Sequence, residues 1–123
     1  MDAAVKLAIV GSVKLAGNRD AQAIIELVLD AHRPEWVVSG GAAGVDSMAE
    51  QEAIRRGIQV LIYRPSQQTW KKFKERNLRI AESCDRLVRI VARHSKTYGS
   101  GWTRDRAAEM GKPTEEYIVD LPC

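Results

Sequence analysis

Short apolar runs alternate with segments of helical period along the whole chain, and this alternation constrains the fold more than any other feature of the sequence. Residues 5–10 form an apolar run with one lysine, followed at once by Gly11-Ser12. Ala21, Ile24, Ile25, Val28 and Leu29 then recur at the spacing of one helix face, with Pro34 just beyond the stop. Residues 36–39 read as a second strand running straight into Gly40-Gly41. Val45, Met48, Ala49 and Ala53 line a second helix, which Gly57 closes as a left-handed cap. Residues 58–63 are a third strand, stopped by Arg64-Pro65. Trp70, Phe73, Asn77, Ile80 and Ala81 share the inner face of a third helix. Leu87-Val88 and Ile90-Val91 belong to a fourth strand, residues 103–110 to a weaker fourth helix, and Tyr117-Ile118-Val119 to a fifth strand. Repeated strand–helix alternation calls for parallel strands joined by right-handed crossovers, with helices on both faces of the sheet. Arg89 conflicts with this pattern, because a central strand covered on both faces should be continuously apolar. Either that position is exposed or at an edge, or Arg89 points into a pocket or a subunit interface.

Length and composition bound the rest. The 123 residues fit a single domain spanning 1–123. Hydrophobic residues make up 45% of the chain and charged residues 28%, which excludes a disordered composition. A chain of this size buries roughly two-thirds of its unfolded surface, so it needs no disulfide or metal. Cys84 and Cys123 are far apart, show no metal-ligand spacing, and read as reduced thiols. The net charge of +3 favours anionic ligands but falls well short of a dedicated duplex-DNA binder. No stretch approaches the roughly 20 apolar residues of a membrane span. The first residues lack the basic start and apolar run of a signal peptide. A cytoplasmic location is expected, with no membrane partner, no cofactor and no metal.

Open parallel sheets bind ligands beyond the carboxyl ends of their strands, so the turns there carry the functional expectation. The turn Ser39-Gly40-Gly41-Ala42-Ala43-Gly44-Val45-Asp46 is the most distinctive. Glycines let the backbone approach an anion closely, and the amides of a helix first turn point at it along the helix dipole. Ser39 adds a hydroxyl. Asp46, in the first turn, reads either as a cap or as a group for a ribose hydroxyl or a bound water. The turn at residues 98–103, Tyr98-Gly99-Ser100-Gly101-Trp102-Thr103, is a second small-residue cradle with Thr103 as N-cap. His94 beside it is either a solvated loop residue or an acid–base group, and His32 complements a helix C-terminus. Lys71, Lys72, Lys74, Arg76 and Arg79 crowd the third helix, mostly as a solvated face. Asn77 falls on its apolar side and must find hydrogen-bond partners, in a neighbouring loop or in the ligand.

Taken in order, Gly11-Ser12, the serine–double glycine turn with Gly44-Val45-Asp46, Ala49 and Ala53, Arg76-Asn77, Cys84-Asp85, and the Gly101/Thr103 turn resemble the SLOG superfamily. That Rossmann-like group includes the DprA/Smf and LOG proteins, and this chain most resembles its small stand-alone YspA-like members. The resemblance implies a five-stranded sheet in the order 3-2-1-4-5, a nucleotide or nucleotide-derived ligand, and a homo-oligomer. It implies that Ser39, Gly40, Gly41 and Gly44 bind phosphate, with Gly11, Ser12, Asp46, Asn77, Gly101 and Thr103 completing the pocket. LOG members hydrolyse the N-glycosidic bond of nucleoside monophosphates with an arginine and a Gly-Gly-x-Gly-Thr-x-Glu-Glu motif. Here Trp102 is inserted between Gly101 and Thr103, and Asp105-Arg106 stands in the acidic positions. If this chain is such an enzyme, Asp105 or Asp46 stabilises the developing charge or activates water, and Arg76 fixes the substrate. DprA members bind single-stranded DNA, and here Trp70 and Trp102 beside the basic third helix are the stacking candidates. Nucleotide binding as a sensor or carrier is the leading expectation, with the hydrolase and the single-strand binder as alternatives.

Overall fold

The structure is a computed structural model that describes residues 5–95 and 98–121, with Tyr98 described by its backbone; Cys123 and the first four residues lie outside the described set. Within it, strands β1 (Lys6–Gly11), β2 (Trp36–Ser39), β3 (Gln59–Ile62), β4 (Arg86–Ala92) and β5 (Thr114–Val119) form one sheet in the order β3-β2-β1-β4-β5. Every pairing is parallel. Helices α1 (Arg19–His32) and α2 (Val45–Arg55) cover one face, α3 (Trp70–Ser83) and α4 (Tyr98–Glu109) the other. The expected order and layering are those observed.

The apolar spacing read from the sequence explains the two cores. Ile25, Val28 and Leu29 of α1 and Val45, Ala49 and Ala53 of α2 bury against Leu7, Ile9, Val37, Val88 and Ile90. Ile80 and Ala81 of α3 and Ala107 of α4 bury against Ala8, Val10, Val38 and Leu87. Asn18 caps α1 by accepting from the Ala21 N–H at 2.9 Å, and Thr69 caps α3 by accepting from Lys72 at 3.3 Å. Gly57 (φ 74°) is the left-handed residue after α2, as its position suggests. No helix among the described residues is long and apolar enough to cross a membrane.

Two elements differ from expectation. β5 begins three residues earlier than its apolar run, because its acidic residues are held by basic partners: Glu115 by a hydrogen bond with His32 (2.9 Å) and an ion pair with Arg86 (3.6 Å), Glu116 by Arg89 and Arg104. α4 begins at Tyr98, so residues 98–103 are its first turns and not a loop. Each glycine inside a helix costs about 1 kcal/mol relative to alanine, and tertiary contacts offset that here. Arg89 explains them. Its side chain is largely buried under α4, donating to Ser100 Oγ at 2.9 Å and pairing with its strand neighbour Glu116. A Cβ on Gly101 would lie 3.4 Å from that guanidinium, in van der Waals contact with it.

Candidate functional site

All five strands point their carboxyl ends to one side, and the sheet order reverses between β1 and β4. Ser12 closes that junction. Fully buried, it donates its N–H to Ile90 O (3.1 Å), accepts from the Ala92 N–H at Oγ (3.1 Å), and offers its carbonyl to Val45 N–H (3.3 Å). Gly44 (φ 79°) packs on the same junction: a Cβ there would collide with Ser12 O and lie 2.5 Å from Val13 Cα. Ser12 and Gly44 therefore brace the site from behind and do not line it.

A cleft of about 620 Å³ opens over these strand ends, lined by Gly40, Gly41, Ala42, Arg64, Pro65, Trp70, Phe73, Arg76 and Asn77 among others. A narrower recess of about 190 Å³ continues inward along Gly11, Asp46, Asn77, Ser100 and Thr103. The two share Ala42, Arg76 and Asn77. Of the residues singled out in the sequence, Gly11, Gly40, Gly41, Asp46, Arg76, Asn77 and Thr103 are thus brought together. Gly101 packs on Arg89 instead. Thr103 is no N-cap: it lies within α4 and its hydroxyl donates to Gly99 O at 2.8 Å. Asp105 sits two residues on from Thr103, about 200° around the helix. It is exposed and paired with Arg104 at 3.0 Å, away from both recesses.

Three amides of the glycine turn, those of Gly40, Gly41 and Ala42, meet the protein's own oxygens. Gly41 N–H donates to Ser39 Oγ (3.3 Å), and Ser39 in turn donates to Glu50 Oε2 (2.5 Å). Ala42 N–H donates to Asp46 Oδ2 at 3.3 Å, and Gly40 N–H also reaches that carboxylate. Asp46 thus holds two amides of the loop that precedes α2. What faces the cleft is a pair of guanidinium groups. Arg76 donates to Gly40 O (2.5 Å) and to Asn77 Oδ1 (2.6 Å), and lies 5.7 Å over the Phe73 ring. Arg64 donates to Gly41 O at 3.2 Å. Asn77 passes the linkage on to Gly99 O at 3.4 Å, so the glycine turn, α3 and the first turn of α4 are joined through one buried amide.

Burial raises the Asp46 carboxyl to about 7, and nearby Glu50 adds to the rise; the Ala42 and Gly40 amides and Arg76 oppose it. Desolvation also lowers Arg76, against the attraction of Asp46. The recess therefore contains a carboxyl able to gain or lose a proton near neutrality beside a fixed cation. His94, by contrast, is exposed at φ 63°, and His32 pairs with Glu115 at the far end of the sheet.

Sequence reasoning missed Arg64 and misplaced Trp70 and Phe73. Arg64 registers in the sequence only as a strand stop, although its place after β3 puts it at the ligand-binding edge. Trp70 and Phe73 share the helical stripe of Ile80 but belong to the half-open cleft wall, and Trp70 is 45% exposed. Trp70 also meets Trp102 edge to face, centroids 6.4 Å apart.

No family model matches the chain, and no curated protein matches it in sequence. Among solved structures, it is similar to DNA processing protein A (DprA) from Streptococcus pneumoniae, with a TM-score of 0.72 and 23% identity. The match covers 98% of this chain and 51% of that one, so the chain spans about half the length of that protein. The chain has the Rossmann-like α/β fold found in DprA.

Proposed function

We propose that the chain binds a nucleotide or nucleotide-derived phosphate ligand in this cleft, as a sensor or carrier and not as a vigorous enzyme. The observation that carries the reading is the convergence of Arg64 and Arg76 on the carbonyls of Gly40 and Gly41, beside a wall of Pro65, Trp70 and Phe73. Guanidinium forks suit phosphate oxygens, and the apolar wall suits the face of a base. The cleft's volume lies within the range of small-molecule sites. Gly40, Gly41, Asp46 and Asn77 border the phosphate, with Gly11 and Thr103 deeper in. The proposal includes membership of the SLOG superfamily, in its YspA-like branch. It also includes a cytoplasmic location and a homo-oligomer, to which the exposed Leu27, Ile54 and Ile118 offer apolar surface. Calorimetric titration with purine and pyrimidine monophosphates tests the ligand class. Binding lost in Arg76→Met supports the reading, and indifference to that substitution in a folded protein refutes it. Assay of the same mixtures for free base tests the hydrolase alternative, in which Asp46 is the acid at the recess.

A second reading rests on Trp70 and Trp102, whose rings carry Lys74 at 5.8 Å and Arg106 at 4.9 Å. Aromatic faces flanked by cations are a platform for single-stranded nucleic acid, and the similar structure is of a DNA processing protein. Affinity for oligonucleotides that falls steeply with salt, and exceeds that for mononucleotides, would favour it.

A further inference from the structure

The basic stretch of α3 is not a uniform solvated face. Lys72, Glu75, Arg76 and Arg79 fall at i, i+3, i+4 and i+7, a single stripe along the helix. That stripe faces the chain that leaves β3. Together with Ile62, Tyr63, Arg64, Pro65 and Ser66 it bounds a recess of about 240 Å³, outside the cleft. Four cationic side chains meet there against one carboxylate, an excess equal to the net charge of the entire chain. Lys72 is held by Glu75 at 3.2 Å. Arg79 has no hydrogen-bond or ion-pair partner among the described residues. Concentrating like charges in one concavity is unfavourable unless an anion offsets it, and a cleft wall focuses the field on that anion.

The recess is continuous with the cleft through Arg64, Pro65 and Arg76, which line both. A ligand phosphate between the two guanidiniums therefore meets further cations only on its outward side, at Lys72 and Arg79, while the inward recess holds the Asp46 carboxyl. We propose that this outer recess is a second phosphate subsite, so that the ligand is a polyphosphorylated mononucleotide whose phosphate chain runs outward past Arg64 and Arg76 to Lys72 and Arg79. The inference rests on the nucleotide reading of the cleft for the base and first phosphate, but the subsite's own charge is independent of it.

Calorimetry of the full chain, without divalent metal, with a nucleoside monophosphate, the matching triphosphate and inorganic tripolyphosphate separates the two claims. The triphosphate binds about tenfold more tightly than the monophosphate, the order expected from two additional solvent-facing cations. Lys72→Gln and Arg79→Gln, both on the exposed side of α3, bring the ratio toward one and leave monophosphate affinity unchanged. Equal affinity for the two nucleotides in the unsubstituted protein overturns the subsite while leaving the cleft reading intact. Tripolyphosphate binding that depends on Lys72 and Arg79, with no nucleotide preference over it, supports the subsite and removes the cleft reading. An oligonucleotide that binds through Lys72 and Arg79 while the triphosphate shows no advantage overturns the proposal in favour of a nucleic-acid path.

Discussion

Asp46→Asn separates a charge from a hydrogen bond at the centre of the site. Asparagine keeps an acceptor oxygen for the Ala42 N–H but cannot ionise. Burial raises the Asp46 carboxyl from 3.8 to about 7 in the folded protein. Between those values the unfolded chain is ionised while the folded one retains its proton, so the folded state binds more protons and stability falls as pH rises. Asp46's contribution is full below its unfolded pKa and lost as pH rises through the folded value, at about 1.4 kcal/mol per pH unit. The interval from 3.8 to about 7 makes the complete loss on the order of 4 kcal/mol. That is a large part of the roughly 5–15 kcal/mol by which domains are stable. Urea denaturation of both proteins at about pH 5, 6, 7 and 8 measures the part of it that falls above pH 5, on the order of 3 kcal/mol. The unsubstituted protein loses stability relative to Asp46→Asn across that window, and Asp46→Asn is the more stable of the two at its alkaline end. Parallel stability curves would refute the reasoning, because they would show a carboxyl that titrates alike folded and unfolded.

Gly41→Val is expected to abolish nucleotide affinity with modest damage to the fold, since Gly41 has φ 73° and a Cβ there would meet Arg64 Nη1 at 2.6 Å; calorimetry and thermal melting measure the two effects. Gly44→Ala should instead destabilise the fold by about 2–4 kcal/mol, through its φ of 79° and its collision with the Ser12–Val13 backbone, as read from denaturation midpoints. Asp105→Asn should leave ligand binding unchanged and stability within about 0.5 kcal/mol, because Asp105 is exposed and pairs only with its neighbour Arg104. Rapid release of free base that vanishes in this variant would reverse the placement of Asp105 outside the site.

The fold was legible because each apolar period coincides with a buried face: Ile25, Val28 and Leu29 on α1, Val45, Ala49 and Ala53 on α2. Periodicity fails where electrostatics or close packing replaces apolar burial. Glu115 and Glu116 hide the start of β5, and Gly99 and Gly101 disguise the first turns of α4 as a loop. The strand order came from the family resemblance, since periodicity carries no information on which strands are neighbours. At the site, the glycine turn and Arg76-Asn77 were legible as chemistry that exceeds what turning requires. Invisible was the competition for the amides: whether Ala42 N–H faces a ligand or Asp46 depends on a rotamer, not on spacing. The expected sheet order already puts the end of β3 beside the turn after β2, but the Arg64-Pro65 pair reads first as a strand stop, and that hid the guanidinium's reach to Gly41 O.

Titrating a nucleoside monophosphate into isotopically labelled protein and following its NMR resonances shows whether a phosphate-bearing nucleotide sits between Arg64 and Arg76 at the glycine turn. Binding as described shifts the amides of Gly40, Gly41, Ala42 and Asn77 and the Nε–H signals of Arg64 and Arg76, all saturating with one dissociation constant. Saturable shifts confined to other elements, such as α1 or β5, with these six signals unmoved, would contradict the account.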